Sequence, residues 1–185
     1  MSLPITFLPD DLPFAGPTAP LRARADALLG RGRIAMSQAP GMDGDLGEEL
    51  AEASRRGVTH VLSLVEDLDL SFFHVAPEVP PYMAAFETAG LTLTRHPIPD
   101  RCVPGSMTAF ISTIDALLVH VRAGQSILVH CIGGIGRTGL TVACALVALG
   151  ARAEEAVAMV RATNPRRIET RGQREFVDAF ARARS

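Results

Sequence analysis

The chain has 185 residues, 48% of them hydrophobic, and a formal net charge of −2. That length suits a single domain with a sizeable core. The charge balance argues for neither a nucleic-acid nor an acidic-membrane partner, and no apolar run reaches the roughly 18 residues a membrane span needs. Residues 1–31 are rich in proline (Pro4, Pro9, Pro13, Pro17, Pro20), which predicts extended segments and turns packed on a domain of residues 32–185. Residues 33–36 read as a short strand ended by Pro40 and Gly41. Residues 45–56 place Leu46, Leu50 and Ala53 on one stripe, with acids in the first turn, basic residues in the last and Gly57 as the stop, and so predict a helix. Residues 58–64 read as a buried strand and residues 91–97 as an alternating one, with a short helix at 80–89 between them. Glu66 and Asp67 are assigned to a loop. Ser106 caps a long helix on which Phe110, Ile111, Ile114, Leu117, Leu118 and Val121 hold helical spacing up to Gly124. A short strand at 126–129 follows, and then helices at 138–149, 153–162 and 170–183. Strands alternating with helices predict a single-domain α/β fold whose mainly parallel central sheet is flanked by helices.

The strand at 126–129 runs into His130-Cys131-Ile132-Gly133-Gly134-Ile135-Gly136-Arg137-Thr138-Gly139, which opens the next helix. The glycines allow successive backbone N–H groups to turn inward, and the helix that follows points its positive end at the same place. Arg137 adds a planar fork of donors that grips two phosphate oxygens at once. These surroundings favour a thiolate at Cys131. The segment is therefore an anion cradle, built from Ile132, Gly133, Gly134, Ile135, Gly136 and Arg137, with a sulfur nucleophile at its base. In a parallel sheet it belongs at the carboxyl end of a central strand, where such sheets bind ligands.

The pattern His-Cys-x5-Arg-Thr-Gly resembles the signature of the cysteine-dependent phosphatases. The likeness extends through residues 32–41, 58–64, His96-Pro97-Ile98-Pro99-Asp100 and 168–180 to the kinase-associated phosphatase (cyclin-dependent kinase inhibitor 3-like) branch of the dual-specificity group. It implies the cysteine-phosphatase fold, an edge strand at 5–8, and hydrolysis of phosphotyrosine and phosphoserine or phosphothreonine through a cysteinyl-phosphate on Cys131. No cofactor is implied. His60, His74, His96 and His120 show no metal-ligand spacing. The absence of a signal-peptide core and of a disulfide framework among the three cysteines leads us to expect a cytoplasmic protein.

A leaving alkoxide needs a proton. Asp100 is the candidate acid: it follows the strand at 91–97 in a loop closed by Pro104 and Gly105, and precedes Cys131 by a separation similar to that of the acid in the dual-specificity group. A tryptophan stands near the acid in the larger tyrosine phosphatases; this chain has none. Arg137 would hold the substrate phosphate and the transition-state oxygens. Thr138 is read as donating to the Cys131 sulfur, as capping the following helix, or as both. His130 either supports the loop or is an ordinary buried histidine. Gln173 either positions the attacking water, as the resemblance suggests, or serves only the capping box begun by Thr170. Cys102 is a redox partner of Cys131 or a plain loop cysteine, and Cys144 is core. Arg166 and Arg167 either steer an anionic substrate or form a solvated turn.

Gly134-x-Gly136-x-x-Gly139 also matches a dinucleotide-binding pattern, but no second strand ending in an acid follows it. A nucleotide P-loop would need Gly-Lys-Ser or Gly-Lys-Thr, and a sulfurtransferase loop fits His130 and Arg137-Thr138-Gly139 less well. The remaining alternatives are a module that binds phosphate without cleaving it, and a phosphatase of RNA 5′-ends or small phosphate esters. The loop lacks lysine, which disfavours inositol phosphates, and a shallow cleft is expected because no aromatic wall is evident.

Overall fold

A computed structural model of the chain describes residues 3–12, 16, 19–76 and 78–184. The elements run β1 (Thr6–Leu8), α1 (Ala19–Leu29), β2 (Arg33–Ser37), α2 (Leu46–Arg55), β3 (Val58–Ser63), α3 (Asp67–Phe72), α4 (Val79–Thr88), β4 (Thr92–Arg95), α5 (Met107–Arg122), β5 (Ser126–His130), α6 (Gly136–Ala148), α7 (Ala153–Thr163) and α8 (Arg171–Ala183). The sheet order is β1-β2-β5-β3-β4. β5 is parallel to both β2 and β3, β4 is parallel to β3, and β1 closes one edge antiparallel to β2. The strand that reads Ser-Ile-Leu-Val-His is thus the middle of the sheet. It is buried at every position, which is why it carries an unbroken apolar run instead of an alternating one.

Side chains of successive strand residues point to opposite faces. Ile127 and Val129 accordingly pack with Ile34, Met36, Leu62 and Leu64 against α1, α5, α6, α7 and α8. Leu128 points the other way, with Ala35 and Val61, against α2, α3 and α4. α6 is buried without a break from Gly136 to Leu146. A helix apolar on all sides belongs inside, and this one lies between its sister helices and the sheet. No helix among the described residues is long and apolar enough to cross a membrane.

Ser106 caps its helix as the sequence predicts, and Asp45, read only as the start of a helical stretch, proves to be a cap as well. Asp45 accepts from the Glu48 N–H at 2.9 Å and Ser106 from the Ala109 N–H at 3.3 Å. Two segments differ from expectation. Residues 19–29, expected to be extended, form α1: Pro20 stands in the first turn, where a helix tolerates proline because that N–H has no partner anyway. Pro13 and Pro17, and the first two residues, lie outside the described residues. Glu66 and Asp67, expected in a loop, begin α3. Glu66 caps it, and the Asp69 side chain accepts from the Glu66 N–H at 3.0 Å, so the pattern Glu66-x-x-Asp69 is a capping box.

Candidate active site

β5 ends at His130, and Cys131 stands where the chain leaves the sheet. The loop is fixed from outside by its carbonyls. That of His130 accepts from the Leu64 N–H, that of Ile132 from the Ala39 N–H (both 2.9 Å), and that of Ile135 from the Ile168 N–H at 3.3 Å. The N–H groups of Ile132, Gly133, Gly134 and Ile135 donate to no backbone or side-chain acceptor among the described residues. Carbonyls turned out and amides left over are what an anion cradle requires. Gly134 is obligatory here: its φ is +66°, and a Cβ would stand 2.6 Å from the Ser37 carbonyl carbon. Gly136 then opens α6, whose positive end adds to the same field.

Cys131 is 3% exposed. It lines a cleft of about 220 Å³ together with Ile132, Gly133, Ile135, Gly136 and Arg137, and the walls are Phe73, Asp100, Arg101, Arg166 and Glu169. Sulfur, cradle, arginine and candidate acid are therefore in one place. Phe73 supplies an aromatic wall that the sequence reading does not foresee. Arg101 is ion-paired with Glu169 at 3.1 Å across the rim.

Arg137 is 2% exposed, and its guanidinium is held on several sides. Nη1 donates to Asp69 at 2.5 Å and to the Ile98 carbonyl at 2.9 Å, while Nη2 pairs with Asp100 at 3.0 Å. Burial lowers the arginine's pKa, but Asp69, Cys131 and Asp100 outweigh that and hold it above its ordinary value. Asp69 is the residue that sequence reasoning missed. The Glu66-x-x-Asp69 spacing could have disclosed the helix; only the pairing of β3 beside β5 brings that helix to the cradle.

The remaining candidates divide. His130 is fully buried, with its ring stacked on Phe86 at 6.1 Å between centroids. Burial pushes its pKa down to about 4; a hydrogen bond to the Cys131 carbonyl opposes this and the charge of Arg137 adds to it. The ring is neutral at physiological pH and packed beneath the loop. Thr138 does not cap α6, because the N-cap is Ile135; its buried Oγ1 has no hydrogen-bond partner, so no bond to the Cys131 sulfur is formed. Gln173 forms the capping box with Thr170, its Oε1 accepting from the N–H groups of Glu169 at 2.9 Å and Thr170 at 3.2 Å. Its Nε2 donates to the Cys102 carbonyl at 3.2 Å, and a Cβ on Gly136 would stand 2.9 Å from its amide. The same side chain thus caps α8 and abuts the start of α6. Cys102 is exposed and free, and Cys144 is buried, where desolvation pushes its thiol well up.

Among the described residues three that are not glycine have left-handed backbones: His74 (φ 57°), Arg101 (φ 60°) and Ile168 (φ 61°). Each adjoins a cleft-lining residue, and a β-branched side chain in that region is costly. Strain of this kind gathers at functional sites.

Comparison with known proteins follows the same outline. Residues 24–177 match the family model described as a Swiss Army Knife protein, DSP-PTPase phosphatase domain. A mouse protein tyrosine phosphatase domain-containing protein 1 is 39% identical over 85 residues, 43% of this chain. That stretch is 11% of the mouse protein, so the chain spans about a tenth of the curated relative it matches. Among solved structures, a kinase associated phosphatase with serine in place of its catalytic site cysteine superposes with a TM-score of 0.73 at 21% identity, covering 82% of this chain and 86% of that one. The phosphatase Tk-PTP in its active form gives a TM-score of 0.67 at 29% identity, covering 80% and 91%.

Proposed function

The chain belongs to the DSP-PTPase phosphatase domain family, and we propose that it hydrolyses phosphate monoesters of phosphoproteins through a cysteinyl-phosphate on Cys131. The observation that carries this reading is the convergence of Cys131, Arg137 and Asp100 on one cleft. The substrate phosphate would lie on the amides of Ile132 to Arg137 and take the Arg137 fork now shared with Asp100. The Cys131 sulfur forms a bond to phosphorus as the ester P–O bond breaks. Asp100 gives its proton to the leaving oxygen. In the second half a water attacks phosphorus, Asp100 takes the proton, and the S–P bond breaks to return the thiolate and release phosphate. The oxygens that crowd around phosphorus in both steps are met by donors already in place.

In this proposal His130 supports the loop from below and transfers no proton. Thr138 would turn its unused hydroxyl to the sulfur as the S–P bond breaks, and Gln173 sits near enough to Gly136 to orient the water. Phe73 offers a face for a phosphotyrosine ring, and the open rim admits phosphoserine and phosphothreonine. The proposed catalytic unit is residues 32–185, with the described part of residues 1–31 laid against it, working in a reducing cytoplasm that keeps its thiols free.

The test is turnover of para-nitrophenyl phosphate and of phosphopeptides by the chain and by Cys131→Ser. Hydrolysis that vanishes in the variant, while vanadate still protects the wild-type protein, supports the proposal. Binding of phosphate without any turnover would instead establish a phosphate-reading module.

A further inference from the structure

The charges around Cys131 do not add up as the loop alone would suggest. Arg137, the cation that the motif supplies, is shared between two carboxylates, Asp69 and Asp100. Arg101 is paired with Glu169, and Arg166 stands at the exposed rim, where water screens it. Left to these groups, the thiolate would face a site whose fixed charge is largely cancelled.

Arg167 is different. It is 5% exposed, yet no carboxylate among the described residues pairs with it. Its Nη1 donates to the Met36 sulfur and its Nη2 to the Thr6 hydroxyl at 3.3 Å, both uncharged, and its buried Nε has no acceptor. Met36 stands in register with Val129 in β5, two residues before Cys131, and opposite Thr6 in β1. The guanidinium therefore lies against β1 and β2, beside the strand that ends at Cys131 and outside the lining of the cleft. Its backbone is tied to the loop: Arg161 donates to the Arg167 carbonyl at 3.1 Å, and the next residue, left-handed Ile168, donates to the Ile135 carbonyl. A buried cation without a counter-ion is costly, and a fold that keeps one needs an anion nearby.

We propose that Arg167 is a positioning cation for Cys131, holding its sulfur as the thiolate from outside the cleft while Arg137 is reserved for phosphate. Burial presses the Arg167 pKa down to about 10, and the charge that pushes back is that of Cys131. The proposal rests on the phosphatase reading of the same site. Both arginines feel the Cys131 charge, but Arg137 is also bound by two carboxylates and turned to the substrate, whereas Arg167 has Cys131 as its one anionic influence among the described residues.

The experiment is the rate at which iodoacetamide alkylates Cys131 as a function of pH, followed by peptide mass mapping so that exposed Cys102 is counted separately. Arg167→Met fills the space without charge, and Arg167→Lys keeps the charge. The half-reaction pH should rise by about one unit in Arg167→Met, a tenfold loss of thiolate at mildly acidic pH, and return most of the way in Arg167→Lys. An unchanged profile in folded Arg167→Met overturns the proposal. If the methionine variant does not fold, reciprocity supplies a second reading: the Arg167 side-chain carbon, followed by NMR, should titrate at lower pH in Cys131→Ser than in wild type. Equal midpoints would count against the idea just as decisively. Wild-type turnover with an unmoved alkylation profile sinks this inference alone; absence of turnover with a shifted profile sinks the phosphatase reading instead.

Discussion

Asp69 and Asp100 reach the same guanidinium from opposite kinds of structure. Asp69 comes from α3, its side chain is 9% exposed, and it also completes the capping box of its own helix. Asp100 comes from the loop after β4, is 52% exposed, and makes no other hydrogen bond among the described residues. A carboxylate held by a helix and a cap keeps its partner in one orientation. A carboxylate on an open loop can let go of Arg137 when a phosphate arrives and turn to the leaving oxygen. In the proposed mechanism, then, proximity to the arginine does not by itself mark the acid; exposure on an open loop is what separates Asp100 from Asp69.

The sharpest way to break that comparison is to neutralise the mobile partner. Asp100→Asn should slow hydrolysis of alkyl and phenyl phosphates by roughly 10²- to 10⁴-fold, and much less where the leaving group is already acidic. Equal losses on both classes, measured as kcat, would remove Asp100 from the acid's role. The buried partner should respond in stability first. Asp69→Ala leaves a buried guanidinium short of a counter-charge, so chemical denaturation should show a loss of about 3–5 kcal/mol; a change below about 1 kcal/mol would show that Asp100 alone suffices to hold Arg137.

A smaller effect keeps folding and catalysis from being confused at low pH. Folded His130 titrates at about 4 instead of the usual 6.5 because it is buried. Between those values the unfolded chain binds a proton that the folded one does not. Stability is therefore fully present above about pH 6.5 and falls as the pH drops toward 4, by about 3 kcal/mol in all. Denaturation curves across that range should lose most of their slope in His130→Gln; an unchanged slope would trace the acid sensitivity to other groups. The mildest test is ligand linkage. Vanadate at a hundred times its Kd should stabilise the protein by about 2.7 kcal/mol, undiminished in Asp100→Asn and reduced in Asp69→Ala. A vanadate shift that disappears in Asp100→Asn would reverse the roles assigned to the two acids.

What the sequence could disclose follows the same division between near and far. The cradle is contiguous, so Cys131, the glycines and Arg137 announce themselves at fixed spacing, and the sheet around them follows from apolar runs and caps. Asp69 is invisible to spacing because it meets Arg137 only after β3 and β5 have paired side by side. Arg167 is obscure for the converse reason: a basic pair after Asn164-Pro165 reads equally as a guide for an anionic substrate or as a solvated turn, and neither reading places Arg167 in the interior. The left-handed step at Ile168 and the donation from Arg161 instead accompany one of the pair into the interior. α1 was hidden by prolines, whose tolerance in a first turn cannot be told from their preference for extended chain.

The enclosure of α6 has a consequence for how this molecule fails. The helix that carries Arg137 and anchors the cradle has no solvent-facing side through its first three turns, so it cannot fray or open independently of its surroundings. Amide hydrogens along it should exchange with deuterium only through global unfolding, among the slowest in the chain. Warming should then leave the anion site intact until the whole structure melts, and inactivation and melting curves should coincide.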